Sequence, residues 1–130
     1  MKKIAIFLLS FCLFLNASYL RDGIIQYKNQ DYKNAFNSFK NAIEEESSIT
    51  AYYFLGLLYL KGLGTKQDLD KAEKFLAFAS KHGNLRANCL LAEVYIQKNR
   101  LSKAKQILKN EQKEGIKECQ DIIKKYKINL

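Results

Sequence analysis

Two stretches in the middle of the chain carry apolar residues at helical spacing. In the first stretch, steps of three and four residues join Tyr52, Leu55, Gly56 and Tyr59. In the second stretch, the same steps join Leu69, Ala72, Phe75, Leu76 and Ala79. A helix with 3.6 residues per turn places such positions on one stripe, so each stretch predicts an amphipathic helix.

A loop containing two glycines separates these predicted helices. Gly62 and Gly64 can adopt backbone angles that a side chain would disfavour. Either Asp68 or Asp70 can cap the amides that open the next helix, and Gly83 predicts where that helix ends. Small residues on both stripes allow the two helices to approach closely. The segment is therefore predicted to be a helical hairpin.

Residues 51–87 contain the motifs AYYFLGLLYLKGLG, DLDKAEKFL and HGNLRA in this order. In order and spacing they resemble one full Sel-one-like repeat, a relative of the tetratricopeptide repeat found in exported bacterial proteins. The resemblance implies an all-α fold, a right-handed α-solenoid of about three helical hairpins followed by a C-terminal capping helix.

Shorter versions of the same pattern flank this unit. Pairs of small residues are 16 apart in the central hairpin and 12 apart in the flanking ones, which look more like tetratricopeptide units. These pairs are Gly23 and Ala35, Gly56 and Ala72, and Ala92 and Ala104. The predicted hairpins cover residues 19–45, 49–82 and 84–113, and the capping helix covers residues 116–127.

The first 17 residues have the pattern of a signal peptide. Lys2 and Lys3 precede an apolar run from Ile4 to Leu15, and Ala17 supplies a small residue for cleavage. As a helix the run would span roughly 18 Å, which is too short for a hydrocarbon core of about 30 Å. A buried first helix is the alternative. We interpret residues 1–17 as a signal peptide and residues 18–130 as the helical domain.

A signal peptide predicts a periplasmic or secreted protein. A lipoprotein anchored at Cys12 is the less favoured alternative, because Phe11 occupies the position where the processing peptidase requires a small residue. Association with a membrane is expected only if Cys12 is lipidated or the segment stays uncleaved.

Positive charge is concentrated at the C-terminal end. The chain has a formal net charge of +9, and residues 98–130 hold ten basic and four acidic residues. Such a surface can attract nucleic acid, acidic proteins or anionic lipid. No aromatic interleaving or groove-reading motif accompanies it, so we interpret it as a solvated face and expect no nucleic-acid partner.

Two cysteines remain after removal of the signal peptide. An even pair in an exported protein favours a disulfide between Cys89 and Cys119. Cysteine-rich members of the resembled family bridge the two helices of one repeat, whereas these two are 30 residues apart. Two free buried thiols are therefore the alternative. His82 is the only histidine, so no metal site is predicted, and no cofactor is expected.

One short motif raises a catalytic alternative. Ser102 and Lys105 match the Ser-x-x-Lys arrangement in which a lysine activates a serine against β-lactams. Some cysteine-rich relatives in the resembled family are described as penicillin-binding or β-lactamase-like, but the companion motifs are absent here. Ser102 also lies at the start of a predicted helix, where serine is an ordinary cap. We expect an interaction module without its own chemistry, and a β-lactam-binding protein is the alternative.

The resemblance also implies a binding surface. In tetratricopeptide arrays, set positions around the small residue of each first helix line the concave face. In this chain those positions are Leu20, Ile24, Tyr27, Tyr53, Leu57, Leu60, Cys89, Glu93 and Ile96. Seven of the nine are large and apolar, which predicts a groove for a protein or peptide partner in the cell envelope. The alternatives are that the last helix covers these residues or that they belong to the core.

Overall fold

The computed structural model describes residues 18–130, and the predicted signal peptide, with Cys12, lies outside the described residues. Residues 18–130 form seven helices and contain no β-strand. The helices are α1 (Tyr19–Lys28), α2 (Tyr32–Glu46), α3 (Ile49–Lys61), α4 (Leu69–Lys81), α5 (Leu85–Gln97), α6 (Leu101–Gln112) and α7 (Lys117–Lys125). The predicted all-α class is therefore confirmed. None of the helices in this range has both the length and the apolar character needed to cross a bilayer.

Short polar side chains begin α1, α3, α4 and α5. Ser18, Ser48, Asp68 and Asn84 each accept a hydrogen bond from the backbone N–H three residues later. Such caps satisfy amides that the first helical turn leaves unpaired. Of the two aspartates considered for α4, Asp68 is the cap.

The loop between α3 and α4 contacts the preceding hairpin. Gly62 ends α3 with φ 65°, and Gly64 has φ 68°; both values are in the left-handed region that favours glycine. A β-carbon at Gly64 would collide with the backbone carbonyl of Tyr32, the first residue of α2. The glycine therefore allows the loop to lie directly against α2.

Helices that follow one another in the chain pack against each other. In addition, α3 contacts α5 and α5 contacts α7. Helix α1 contacts α3 through a ring pair, since the Tyr27 ring of α1 lies 5.3 Å from the Phe54 ring of α3 between centroids. The helices α1, α3, α5 and α7 are thus successive neighbours, and we call them the odd-helix row.

Glycines allow the helices within two hairpins to approach closely. A β-carbon added to Gly23 of α1 would lie 2.7 Å from the Phe39 ring of α2. One added to Gly56 of α3 would lie 2.5 Å from Cγ of Leu76 in α4. Both separations are far below a normal carbon–carbon contact, so glycine is required for this close packing.

The apolar core forms two clusters that meet at α3. The smaller cluster joins α2 and α3 and contains Ala35, Phe39, Ala42, Ala51, Leu55 and Leu58. The larger one extends from α3 to the residues after α7 and includes Leu76, Val94, Leu108 and Ile128. Phe54 packs against both clusters, and its ring stacks on Phe39 at 4.6 Å between centroids. The core is therefore continuous along the array of helices.

Candidate functional site

The predicted groove residues of α1 lie on one face of that helix and are partly buried. Leu20, Ile24 and Tyr27 all pack at the edge of the smaller core cluster. Leu57 of α3 is also partly buried and lies one turn beyond Phe54, which Tyr27 contacts. We call Leu20, Ile24, Tyr27 and Leu57 the apolar strip.

Two other predicted groove residues of α3 are buried in the core. Tyr53 is 5% exposed and Leu60 is fully buried, and both belong to the larger cluster. The guanidinium of Arg86 lies over the Tyr53 ring, 5.2 Å from its centroid. Arg86 belongs to α5, so Tyr53 faces that neighbouring helix. Leu57 and Lys61 lie further round α3, where Leu57 is partly buried and Lys61 is exposed.

Two of the three predicted groove residues of α5 contact the last helix or the residue after it. Cys89 and Glu93 are buried, whereas Ile96 is partly buried at the edge of the larger cluster. Cys89 is joined to Cys119 of α7 by a disulfide, with a distance of 4.8 Å between the two Cα atoms. The bond holds α7 against α5, next to Glu93.

Glu93 is the buried charged residue at the centre of this region. The residue is 1% exposed, and its carboxylate accepts hydrogen bonds from three side chains on two other segments. Lys61 Nζ lies 2.8 Å from each Glu93 oxygen, Lys125 Nζ lies 2.7 Å from Oε1, and the Tyr126 hydroxyl lies 3.0 Å from Oε1. A buried carboxylate with these donors is both neutralised and well hydrogen-bonded.

The hydrogen bonds around Glu93 determine the ionisation of its carboxyl group and of Lys125. Burial would raise the pKa of the Glu93 carboxyl, but the hydrogen bonds from Lys125 and Lys61 outweigh it and hold the pKa below its ordinary value of 4.5. The hydrogen bond to Glu93 likewise raises the pKa of Lys125. Both groups are therefore charged at neutral pH.

A pocket of about 200 Å³ opens beside Glu93. It lies between α3, α5 and α7, and its lining residues are Lys61, Leu90, Glu93, Glu118, Asp121, Ile122 and Lys125. We call it the charged pocket. Glu118 forms an ion pair with Arg86. Lys61 lies one helical turn from Leu57, so the charged pocket and the apolar strip share one face of α3.

Two glutamine side chains connect the end of α3 with the end of α5 by hydrogen bonds. Gln67 donates to the carbonyl of Leu60 at 2.9 Å and to Oε1 of Gln97 at 3.1 Å. Gln97 in turn donates to the Tyr126 hydroxyl at 3.4 Å. These bonds connect the loop after α3 with the group of side chains around Glu93.

The other sequence candidates lie away from this face. Ser102 is exposed in the first turn of α6, and the cap of that helix is Arg100. The expectation that Ser102 caps the helix is therefore wrong, because α6 begins one residue earlier than the serine. His82 ends α4, where its ring stacks on Phe78 at 4.2 Å between centroids.

The acidic run at the end of α2 has a role that the sequence did not indicate. Glu46 accepts hydrogen bonds from the backbone amides of Tyr19, at 2.5 Å, and Leu20, at 3.2 Å. These amides open α1, where a negative charge is favourable. Glu46 thus holds the start of α1 against the end of α2.

The three residues that donate hydrogen bonds to Glu93 were also missed by sequence reasoning. Lys61, Lys125 and Tyr126 were assigned no role in the site, because lysines at helix ends usually point into solvent. The available signal was Glu93 itself, an acidic residue on an otherwise apolar stripe, which requires basic partners if that stripe is buried.

No model of a known protein family matches the chain.

Proposed function

We propose that this chain is an exported helical-repeat module that binds a segment of a protein or peptide partner in the cell envelope. The three hairpins α1–α2, α3–α4 and α5–α6 would form a right-handed solenoid of the Sel-one-like and tetratricopeptide kind. The helix α7 would be its cap. The succession of helix contacts, the glycine loop after α3 and the odd-helix row support this arrangement.

One observation carries the proposal of binding. The apolar strip is partly exposed on α1 and α3 and leads into the charged pocket on the same face of α3. An apolar surface bordered by fixed charges is typical of an interaction site. The strip offers apolar contact to a partner segment.

The charged pocket would fix the orientation of a bound partner segment. The side chains of Lys61 and Lys125 are 34% and 55% exposed, so each keeps contact with solvent while its amine binds Glu93. Asp121 is exposed at the pocket's edge. A partner segment that places apolar side chains on the strip would thus meet both donors and acceptors at one end, which fixes its orientation.

The experiment compares two neighbouring residues of α1. Ile24 belongs to the apolar strip, whereas Ile25 is 50% exposed outside the strip. We expect Ile24→Glu to reduce capture of the cross-linked partner from the envelope fraction at least about tenfold, corresponding to roughly 1.4 kcal/mol. The matched control, Ile25→Glu, should leave capture unchanged.

Folding is monitored in parallel, because a glutamate at a partly buried position can destabilise the chain. Helical content and melting temperature of the two variants should agree with each other. Equal capture by both variants, with both of them folded, would contradict a binding role for the strip.

A further inference from the structure

The last helix is too short to be stable by itself. It has nine residues, from Lys117 to Lys125, and its buried residues are Cys119 and Ile122. Isolated helices shorter than about 12–15 residues are marginal in water. The position of α7 therefore depends on its attachment to α5 and α6, and the disulfide supplies one of its two buried anchors.

This helix supplies one wall of the charged pocket. Four of the seven lining residues belong to it: Glu118, Asp121, Ile122 and Lys125. The remaining three lie on α3 and α5. Without α7 in place, the pocket would be open on one side.

The burial of Glu93 also depends on this segment. Two of its three hydrogen-bond donors, Lys125 and Tyr126, come from α7 and the residue after it. Loss of these contacts would admit water to the carboxylate, because a charge with one remaining partner is poorly stabilised in a buried position.

The disulfide is itself buried in this contact. Cys89 and Cys119 are both fully buried. A reductant in solution therefore reaches the sulfurs only when α7 moves away from α5. The disulfide can form only while α7 packs against α5. The packed helix then shields the bond from reductants.

We propose that oxidation of Cys89 and Cys119 assembles the charged end of the groove, so that the binding face is complete only in the oxidised chain. The two thiols lose two protons and two electrons as the S–S bond forms, and an external disulfide accepts them and becomes two thiols. This inference rests on the proposed function, since it describes how the same site becomes able to bind its partner.

The test compares the oxidised chain with the double variant Cys89→Ser, Cys119→Ser. One readout is amide hydrogen exchange across residues 18–130. The second is modification of carboxylates by a carbodiimide and an amine, with mass spectrometry of Glu93 and of the exposed Glu45 as internal reference.

In the double variant, we expect the amides of α7 to lose far more protection than those of α3 and α4, which decline only with the global stability of the chain. Glu93 should be modified at least about tenfold faster than in the oxidised chain, since local opening exposes a group in proportion to the open population. Glu45 should react equally in both. Dithiothreitol should change neither readout in the double variant, which has no disulfide to reduce.

Two results would overturn the proposal. Unchanged protection of α7 and unchanged reactivity of Glu93 would mean that packing alone places the helix. An equal loss of protection in α7 and throughout α1 to α4 would mean that the disulfide supports the whole fold rather than the groove's end.

Neither readout requires a partner, so this test is separate from that of the proposed function. If α7 opens in the double variant but Ile24→Glu captures the partner normally, the proposed function fails and the oxidation-dependent placement of α7 remains.

Discussion

Replacement of Glu93 by glutamine tests whether the buried charge is stabilised by its donors. The substitution keeps the shape of the side chain but removes its negative charge. Lys61 and Lys125 then lose an ionised acceptor at 2.8 and 2.7 Å. The new amide N–H groups also point toward ammonium groups, which cannot accept a hydrogen bond.

The expected loss in the free energy of unfolding of Glu93→Gln is the balance of opposing effects. Hydrogen bonds to charged groups contribute about 1.5–3 kcal/mol each, and removing one member of a buried ion pair destabilises by about 3–5 kcal/mol. Two effects reduce these values here. The two lysine side chains are partly exposed, so their amines can turn to water, and the glutamine avoids the penalty of burying a carboxylate. We therefore expect a loss of about 2 kcal/mol at neutral pH, or roughly 8 °C in Tm.

The effect of Glu93→Gln on stability depends on pH. The pKa of Glu93 in the folded chain lies below its ordinary value of 4.5, so the unfolded chain binds a proton first as the pH falls. The carboxylate's contribution is therefore fully present above the unfolded pKa and is lost as the pH falls through the folded pKa. The difference in stability between the wild type and Glu93→Gln should shrink in acid.

Urea unfolding near pH 7 and at about pH 3 measures both effects. Lys125→Met, alone and combined with Glu93→Gln, gives the coupling energy between the two side chains. A loss at neutral pH within about 0.5 kcal/mol of zero, with no pH dependence, would refute the reasoning.

Two further predictions concern the disulfide and the loops. The double variant Cys89→Ser, Cys119→Ser should lower the free energy of unfolding by about 3–4 kcal/mol, because the bond closes a loop of 30 residues; an unchanged urea midpoint would contradict this. Gly64→Ala should lower Tm more than Gly83→Ala. Both glycines have positive φ, but only a β-carbon at Gly64 meets the Tyr32 carbonyl, whereas nothing lies within 4 Å at Gly83. Equal Tm values would exclude that contact.

The helices could be predicted because their signals are local. Apolar residues at helical spacing indicated the stripes of α3 and α4, and Asp68 was one of two capping candidates. The structure has a helix at Lys117–Lys125, where the sequence pattern predicted one over residues 116–127. Periodicity and caps act over a few residues, so the sequence reveals them directly.

The candidate site depends on distant residues, which periodicity does not describe. Lys61 and Lys125 each lie 32 residues from Glu93 in the chain, and they meet only through the packing of α3, α5 and α7. Glu46 meets the amides of α1 in the same way. A helical pattern marks a charged residue as outward, so only the tertiary arrangement reveals which charges are buried.

The groove residues illustrate a further limit. The tetratricopeptide register gave Tyr53 and Leu57 the same role, yet Tyr53 is buried against α5 and Leu57 is partly exposed. The two positions lie one turn apart on α3. Their difference follows from which side of α3 packs against α5, and the sequence does not specify that packing.

Site-specific photo-cross-linking tests the central claim most directly. A photoreactive amino acid is placed at Leu57 in the apolar strip, and in a separate variant at Lys74, which is exposed on α4. Both variants are expressed with the full chain and illuminated in intact cells. We expect a discrete cross-linked product of one partner from position 57 and none from position 74. Products of equal yield from both positions, or a product from position 74 alone, would contradict a partner-binding groove on the odd-helix row.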